Sequence, residues 1–462
     1  MKICKFTVLL LSVILSISLF TGCATEQKEE TEEPEINENV VVMTEHFIVS
    51  QSMMEYFFNS YYRTFVNNYG DQLELDTGKS LKEQEYSEGQ SWFDYLIAQT
   101  LRQVQQLLYL NEEALKEELE LSEEYQQELE ETIARYDTAA SNSGMSTAFY
   151  IKSLFGESVN ATTVRKCLQM QMLAAQYTDR LEEKQAYTDA DLEAYFAEHS
   201  TEYTMLDLIY AVVPEERAQI FADAENEDVF ISLLEEFFLE ESPDLAEEEL
   251  TAKVESAYMR RGGYIEELDF SEWAFNAQRK AYDTYMEPSG EEGKTVVYML
   301  LPASYEPVGE VLYRDNTPVK NLKYILFEAG EDVTADAVQQ KAEEVLGQWE
   351  EEKGTDPEAA FDALMEEYGG STSMNLERGR LVAELEEWIF SDSRKEEDTA
   401  VIQVEEGTYL LYMLGDGDLQ WKVHVREDML QEVLDETLQA AADTYDARYS
   451  KEALYDIAQV YM

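Results

Sequence analysis

The sequence predicts a multi-domain α+β fold, in which a mostly helical domain is followed by two copies of a smaller α+β domain and a C-terminal helix. Three observations predict it. The length of 462 residues suggests about three domains at ~150 residues each. Apolar residues recur at spacings of three and four between residues 51 and 183, as amphipathic helices require. Beyond residue 203 the chain repeats itself, with an offset of 115 between Trp273 and Trp388.

The first 22 residues resemble a bacterial lipoprotein signal. Lys2 and Lys5 precede an apolar run at 6–20, and Thr21-Gly22 stands directly before Cys23. A secretory signal has this order of a cationic start, a short apolar run and small residues at the cleavage site. The run is shorter than the ~20 residues that span a bilayer, although a transmembrane anchor is the alternative. We expect export, cleavage before Cys23 and lipidation of Cys23, which places the protein outside the cytoplasmic membrane.

The net charge of the chain limits the classes of partner that it can bind. The 98 acidic and 34 basic residues give a net charge of −64. Nucleic-acid binding proteins hold phosphates with clusters of lysine and arginine, so this class is excluded. The electrostatic field of this negative charge favours encounters with basic partners instead. Residues 23–39 are acidic and almost free of apolar side chains, so we expect them to form a flexible tether at the membrane.

The helical domain is predicted over 40–202. Val40–Met43 reads as a short strand, and further helical patterns cover 92–119, 122–137, 147–154 and 163–183. The first long helix, after Ser50, has apolar residues around most of its circumference, which predicts a buried helix. The alternative is a partly exposed surface that binds unfolded client polypeptides. The candidate client-binding residues are Met53, Met54, Phe57, Phe58, Tyr61 and Phe65.

The repeat defines the rest of the organisation. The matching segments are 271–280 with 386–395 and 283–284 with 398–399 (offset 115), 293–300 with 407–414 (offset 114), and 206–209 with 322–325 (offset 116). Each copy begins with a strand, continues through helices and ends in a β-rich run, which is an α+β order. The predicted parts after 202 are a first copy (203–302), a linker (303–318), a second copy (319–416) and a C-terminal helix (417–462) that could pack on the helical domain.

This order of parts resembles the PrsA/SurA group of extracytoplasmic foldases, which combines an export signal, a helical chaperone domain, parvulin domains and a C-terminal helix. In the second copy, 319–326 look like the first parvulin strand, and 340–346 and 361–368 look like the helices after it. Residues 379–390 resemble the segment that supplies the proline pocket. Residues 42–58 and 187–203 are similar to the two ends of that group's chaperone domain. The resemblance implies parvulin-like folds and unfolded polypeptides as partners.

The histidines of the parvulin site are absent from both copies. Parvulins usually place one histidine in the first strand and another in the last. The matching positions are Tyr324 and Tyr409 in the second copy, and Leu208 and Thr295 in the first. Prolyl isomerisation involves no covalent step and must lower a barrier of ~18–20 kcal/mol, so a site that binds the twisted imide could still act without them.

The pocket is also altered. The methionine and phenylalanine of the resembling family correspond to Leu381 and Leu385, and Phe390 lies in the same segment. In the first copy only Phe270 is retained. The resemblance therefore implies degenerate site positions at Tyr324, Tyr409, Leu381, Leu385 and Phe390, and domains that are weak or inactive as isomerases.

Other chemistry has no support in the sequence. The three histidines, His46, His199 and His424, lie in different predicted parts and show neither metal-ligand spacing nor a triad pattern. We predict no metal and no cofactor. Outside the signal and the lipidation site only Cys167 remains, in an apolar-periodic helix, so we predict no disulfide and a cysteine that packs as a small hydrophobe.

Three functions stay open from the sequence. The first is a membrane-anchored chaperone or foldase that binds unfolded exported proteins through adaptable methionine and aromatic surfaces. The second is an active parvulin-type peptidyl-prolyl isomerase. The third is an envelope adaptor that uses its repeated domains to dock one partner.

Overall fold

The structure is a computed structural model that describes residues 40–461 apart from 71, 72, 74, 266, 267, 304–308, 331 and 332. The predicted signal peptide, the lipidation site Cys23 and the tether lie outside the described residues. Helices account for 53% of the structure and strands for 20%, in several small sheets, which confirms the multi-domain α+β class. Of the helices in the described part, none combines the length and the apolar character that crossing a membrane requires.

The helices and strands are numbered in chain order. The helices are α1 (Gln51–Tyr69), α2 (Trp92–Lys116), α3 (Glu123–Asn142), α4 (Thr147–Phe155), α5 (Ala161–Lys184), α6 (Asp189–Glu198), α7 (Ser200–Tyr203), α8 (Glu215–Ala222), α9 (Glu227–Glu241), α10 (Glu247–Glu255), α11 (Asp269–Ala274), α12 (Ala335–Glu352), α13 (Pro357–Tyr368), α14 (Ala383–Ile389), α15 (Gln420–Thr444) and α16 (Lys451–Tyr455). The strands are β1 (Val40–Met43), β2 (Ile48–Ser50), β3 (Glu85–Ser87), β4 (Gln90–Ser91), β5 (Thr204–Pro214), β6 (Tyr258–Gly262), β7 (Thr284–Pro288), β8 (Lys294–Leu301), β9 (Leu312–Arg314), β10 (Pro318–Glu328), β11 (Ser371–Leu376), β12 (Thr399–Gln403), β13 (Gly407–Leu419) and β14 (Arg448–Tyr449).

The described chain divides into two compact units. One contains residues 40–186 and 429–461, and the other contains residues 187–428. We call them the helical unit and the two-copy unit. Helix α15 contributes its first residues to the two-copy unit and the rest to the helical unit, and α6 and α7 belong to the two-copy unit.

The core of the helical unit is built on α1. This helix begins at Ser50, whose hydroxyl accepts a hydrogen bond from the Met53 amide at 3.4 Å. Its side chains pack against those of α2, α4 and α5 in one apolar cluster. Phe58 is fully buried, with its ring 5.3 Å from that of Phe93. The helices predicted at 92–119, 122–137, 147–154 and 163–183 are confirmed as α2 to α5, with small shifts at their ends.

The end of the chain is bound to α1 through one buried amide. The side chain of Asn59 is fully buried and donates hydrogen bonds to the carbonyls of Phe155 and Ala458, each at 2.9 Å. Its oxygen accepts from the Val460 amide at 2.8 Å. A buried amide that lacks its hydrogen-bond partners destabilises the folded state. The hydrogen bonds of Asn59 therefore hold the C-terminal segment against α1.

The two-copy unit contains two four-stranded antiparallel sheets of the same topology. Their strand orders are β6-β5-β8-β7 and β11-β10-β13-β12, and β9 adds to the first sheet beside β5. Three helices, α8 to α10, connect β5 to β6, whereas two, α12 and α13, connect β10 to β11. In each copy these helices cover one face of the sheet, and a short helix, α11 or α14, packs on the opposite face.

The strand pairing corrects two of the sequence alignments. Pro214 pairs with Lys294 in the first sheet, and Glu328 pairs with Gly407 in the second, which gives offsets of 114 for the first strands and 113 for the last. The alignment of the two copies by sequence gives an offset of 116 for the first strands and 114 for the last. The one-residue correction in the last strands moves a side chain to the other face, whereas the two-residue correction in the first strands keeps it on the same face. Strands that are buried on both faces are apolar at nearly every position, so their register cannot be read from alternation.

A largely buried arginine connects the two copies. The main-chain amide of Arg261 donates to Asp207 at 2.9 Å, and its Nε lies 3.0 Å from Asp315 Oδ2. Its two Nη atoms donate to the Thr317 hydroxyl at 3.0 Å and to the Arg378 carbonyl at 2.8 Å. Both carboxylates are almost fully buried. Arg261 thus joins the first sheet, the chain before β10 and the second copy.

Candidate functional site

The structure brings the five degenerate site positions of the second copy together. Tyr324 lies on β10, Tyr409 on β13 and Leu385 on α14, while Leu381 precedes α14 and Phe390 follows it. All five belong to one apolar cluster on the face of the sheet that α14 covers. We call this the apolar face of the second copy.

Tyr324 and Tyr409 supply the polar atoms of the apolar face. Their ring centroids are 5.6 Å apart, and the Tyr409 hydroxyl donates to Glu406 at 3.3 Å. Burial, and then the charge of Glu406, raises the pKa of Tyr409. This phenol therefore stays neutral near pH 7, where it can donate or accept a hydrogen bond but does not act as a charged base.

The wall of the apolar face is fixed by an arginine that sequence reasoning missed. Leu385 and Phe390 are buried, and Leu381 is half-buried. Arg378 donates from Nη2 to the Phe390 carbonyl at 2.7 Å, and its guanidinium lies 5.0 Å from the centre of that ring. Arg378 thereby fixes the position of Phe390 in the apolar face.

The corresponding face of the first copy is aromatic. The rings of Phe270 and Tyr298 stack at 4.2 Å, and those of Trp273 and Tyr285 stack at 5.1 Å. Phe270 is buried and the other three are half-buried. We call these four residues the aromatic face. Only Phe270 was identified from the sequence, and the strand pairing places Tyr210, not Leu208, at the position of Tyr324.

One motif has the same structure in both copies. The Arg279 guanidinium lies 4.5 Å from the centre of the Trp273 ring, and its Nε donates to the Trp273 carbonyl at 3.1 Å. Arg394 and Trp388 repeat these contacts at 4.1 Å and 3.0 Å. These pairs keep the offset of 115 that the sequence showed, so the repeat extends to side-chain geometry here.

The six candidate client-binding residues of α1 lie mostly in the core. Met54 and Phe58 are fully buried, Met53, Phe57 and Phe65 are each 8% exposed, and Tyr61 is half-buried against the same cluster. In this conformation α1 packs as a core helix, which was the first of the two interpretations from its sequence.

A more exposed group of aromatic rings lies beside α1. The Tyr86 ring stacks on Tyr95 at 4.4 Å and meets Trp92 at 4.8 Å. Tyr86 and Tyr69 are 42% and 44% exposed. The sequence signal that could have found this group is the density of aromatic residues between 86 and 95.

Cys167 is fully buried in the helical unit. Burial raises the pKa of its thiol, which suppresses the reactive thiolate. We expect a chain of residues 24–462, whose only cysteine is Cys167, to resist a thiol-specific chromogenic reagent at about pH 8 while folded. In denaturant one thiol per chain should react at once. Fast labelling of the folded protein would contradict the buried position.

Each of the three histidines contacts a different glutamate. His46 Nδ1 is 2.7 Å from Glu112, His199 Nδ1 is 3.0 Å from Glu202, and His424 Nε2 pairs with Glu377. Among the described residues, no group of three or more histidine, cysteine, aspartate or glutamate side chains is arranged to hold a metal ion.

The pair of His424 and Glu377 makes stability depend on pH. The hydrogen bond to Glu377 raises the pKa of His424 above its usual value, against the opposing effect of burial. Its contribution is complete below the unfolded pKa of ~6.5 and is lost as pH rises through the higher folded pKa. The melting temperature of the wild type should therefore fall toward that of His424→Gln as the pH rises above about 6.5. His199→Gln, the control, should retain the wild-type dependence, whereas a constant gap for His424→Gln would contradict this prediction.

Solved structures that are similar to this chain include three PrsA proteins. No family model and no curated protein matches the chain. The PrsA peptidylprolyl isomerase of Bacillus anthracis is 17% identical over 28% of this chain and 61% of its own, with a TM-score of 0.16, so the chain matches less than two thirds of that protein's length. The PrsA peptidylprolyl isomerase of Bacillus cereus is 10% identical over 91% and 98%, with a TM-score of 0.18. The PrsA foldase of Lactococcus lactis is 10% identical over 72% and 94%, with a TM-score of 0.16.

Proposed function

We propose that the protein is an extracytoplasmic chaperone or foldase, anchored to the membrane through lipid on Cys23, that binds unfolded exported polypeptides. The observation that supports this most directly is the duplicated binding face. On the sheet face under α11 or α14, each copy carries a buried apolar cluster with half-buried aromatic or apolar side chains packed against it. An unfolded chain exposes apolar side chains that such faces can cover.

The chemistry of these faces favours binding over proton transfer. The polar groups of the apolar face are two phenols, and in the aromatic face burial and the adjacent Glu287 raise the pKa of Tyr298. A general acid or base needs a pKa near the working pH, which a neutral phenol does not have. We propose that both copies act as binding modules. Because both site histidines are replaced and leucines stand at the pocket positions Leu381 and Leu385, we also propose that they are weak or inactive as prolyl isomerases.

The first test is light scattering of a chemically unfolded protein diluted into buffer at ~150 mM salt, where charges beyond ~8 Å are screened. Near-stoichiometric residues 24–462 should suppress the scattering. The double variant Tyr285→Ser with Leu381→Ser removes one half-buried side chain from each face and should lose much of that suppression. No suppression by the unmodified chain would refute the chaperone proposal.

The control for this test is Ile220→Ser. Ile220 is 56% exposed on α8, which packs on the opposite face of the first sheet. Its loss changes exposed apolar area without touching either binding face, so suppression should remain. An equal loss in the control and in the double variant would mean that the faces are not the binding sites. A single dominant partner in crosslinking, with no suppression, would favour the adaptor instead.

An active isomerase is the second candidate, favoured by the two phenols that lie over the apolar wall of the second copy. A bound proline imide could be twisted there if the site prefers the twisted state. Exchange NMR on a peptide with one Xaa-Pro bond tests it. Acceleration that Leu381→Ala and Tyr409→Phe both reduce would establish the isomerase, and no acceleration at high protein concentration would exclude it.

A further inference from the structure

The two binding faces differ in chemistry at matching positions. The offset of 115 relates Phe270 to Leu385, and the pairing of β7 and β12 relates Tyr285 to Ala400. Through the same strands Glu287 corresponds to Ile402. At these three positions the first copy is aromatic or acidic and the second is aliphatic. Asp269, Glu272 and Trp273, by contrast, have equivalents of the same kind at that offset, Glu384, Glu387 and Trp388. The two faces therefore differ through Phe270, Tyr285 and Glu287.

Three carboxylates surround the aromatic face. Glu287 follows Tyr285 by two residues on β7, which places both on one face of the sheet, and it accepts a hydrogen bond from the Tyr298 hydroxyl at 2.8 Å. Asp269 and Glu272 lie on α11 beside the two rings that this helix contributes, and both are exposed. Besides burial, the charges of these three residues raise the pKa of Tyr285, which is consistent with their place around one ring.

These carboxylates are available to a cationic ligand. Within the described ranges, none of the three forms an ion pair with lysine or arginine. The nearest arginine of the face, Arg279, lies over Trp273 and has its own counter-ion, with its Nη1 3.7 Å from Asp283. The face therefore keeps an excess of negative charge next to rings that already accept one guanidinium.

We propose that the aromatic face of the first copy binds lysine- and arginine-bearing segments of unfolded polypeptides. The inference rests on the proposed chaperone function and names its substrate class. Rings attract a cation through their negative faces, and the carboxylates supply charge and hydrogen-bond acceptors for the same group. The net charge of −64 draws basic chains toward the protein before contact. The apolar face of the second copy, which has Ile402 in place of Glu287, takes uncharged apolar segments.

The test compares three fluorescent peptides of equal apolar content that carry lysine, serine or glutamate at four positions. Fluorescence anisotropy with residues 24–462 at ~150 mM salt gives their affinities. The lysine peptide should bind about tenfold more tightly than the serine peptide, and the glutamate peptide should bind more weakly than both. In the triple variant Asp269→Asn, Glu272→Gln and Glu287→Gln, the lysine peptide should fall to the affinity of the serine peptide, whose own binding is unchanged.

The control removes the same charge elsewhere in the first copy. Glu235, Glu236 and Glu247 are exposed on α9 and α10, away from the aromatic face, and all three are changed to glutamine. The control should keep the preference for lysine, because the local site is intact. An equal loss in both triple variants would assign the preference to the general field and overturn the inference.

Equal binding of the three peptides by the unmodified chain would also overturn the inference. The light-scattering assay separates this failure from a failure of the proposed function. A chain that suppresses aggregation and shows no preference remains a chaperone without a cation-selective face, whereas a chain that neither binds peptides nor suppresses aggregation refutes both.

Discussion

Replacing Arg261 by alanine should destabilise the two-copy unit by about 3–5 kcal/mol, the cost of breaking a buried ion pair. The Arg261 side chain is 10% exposed, and Asp315, with which it pairs, is 2% exposed. Alanine leaves that carboxylate buried without its counter-ion and removes the donors to Thr317 and to the Arg378 carbonyl. Hydrogen exchange should accelerate roughly 100-fold or more in β5, β6 and β10, at ~1.4 kcal/mol per tenfold change.

Two further variants test whether the loss of stability in Arg261→Ala comes from the buried ion pair. Arg261→Lys keeps the charge and loses the planar fork of donors, so it should lie between wild type and alanine. Arg217→Ala removes a half-exposed arginine that pairs with Glu240 on the helix-covered side of the first copy. A surface pair of this kind contributes less than ~1 kcal/mol. Equal exchange rates in Arg261→Ala and Arg217→Ala would show that the buried cluster adds nothing beyond a surface pair.

The helices of this protein could be predicted because their signals are local. Apolar spacing and capping residues lie within a few positions of each other, as in the capping box of Thr188 and Asp191 that begins α6. The Trp273 and Trp388 motif was found for a similar reason, since a tryptophan, an arginine and an aspartate at fixed short spacings keep their contacts in both copies.

The strand register and the long-range polar contacts could not be predicted. Asn59 binds residues almost 400 positions later in the chain, and nothing near it in the sequence indicates a buried partner. Asp207 on β5 is fully buried, and Lys323 on β10 is 6% exposed. The sequence pattern predicts that both side chains face solvent. Their polar partners lie on other elements, where the pattern cannot show them: Arg261 for Asp207, and Glu358 for Lys323.

The candidate site likewise contains one part that the sequence predicts and one part that it does not. The five positions of the apolar face came together because the resembling segments carry the order of a whole domain. The aromatic face was missed, since Tyr285 and Tyr298 come next to Phe270 only through strand pairing and helix packing. The burial of α1 follows from helices that surround it, which its own composition does not reveal.

Phe58→Ala should destabilise the helical unit by about 3–5 kcal/mol, as expected for deleting a fully buried phenylalanine. The Phe58 ring lies between those of Phe93 at 5.3 Å and Tyr62 at 6.3 Å, and Tyr62 is also fully buried. The cavity would be enclosed by rigid rings that cannot collapse into it. Hydrogen exchange of the full chain should show faster exchange of the amides in α1 and α2, with little change in the exchange rates of the two-copy unit.

The matched control is Phe149→Ala, which deletes the same side chain at a position on α4 that is 59% exposed. It should change stability by less than ~0.5 kcal/mol, as surface substitutions usually do. The pair of variants also distinguishes the two interpretations of α1. A core helix predicts that Phe58→Ala loses protection against exchange and that aggregation suppression declines only as the helical unit opens. A client-binding surface predicts the reverse: suppression is lost at full stability, because a side chain that contacts only clients contributes nothing to the folded state in their absence.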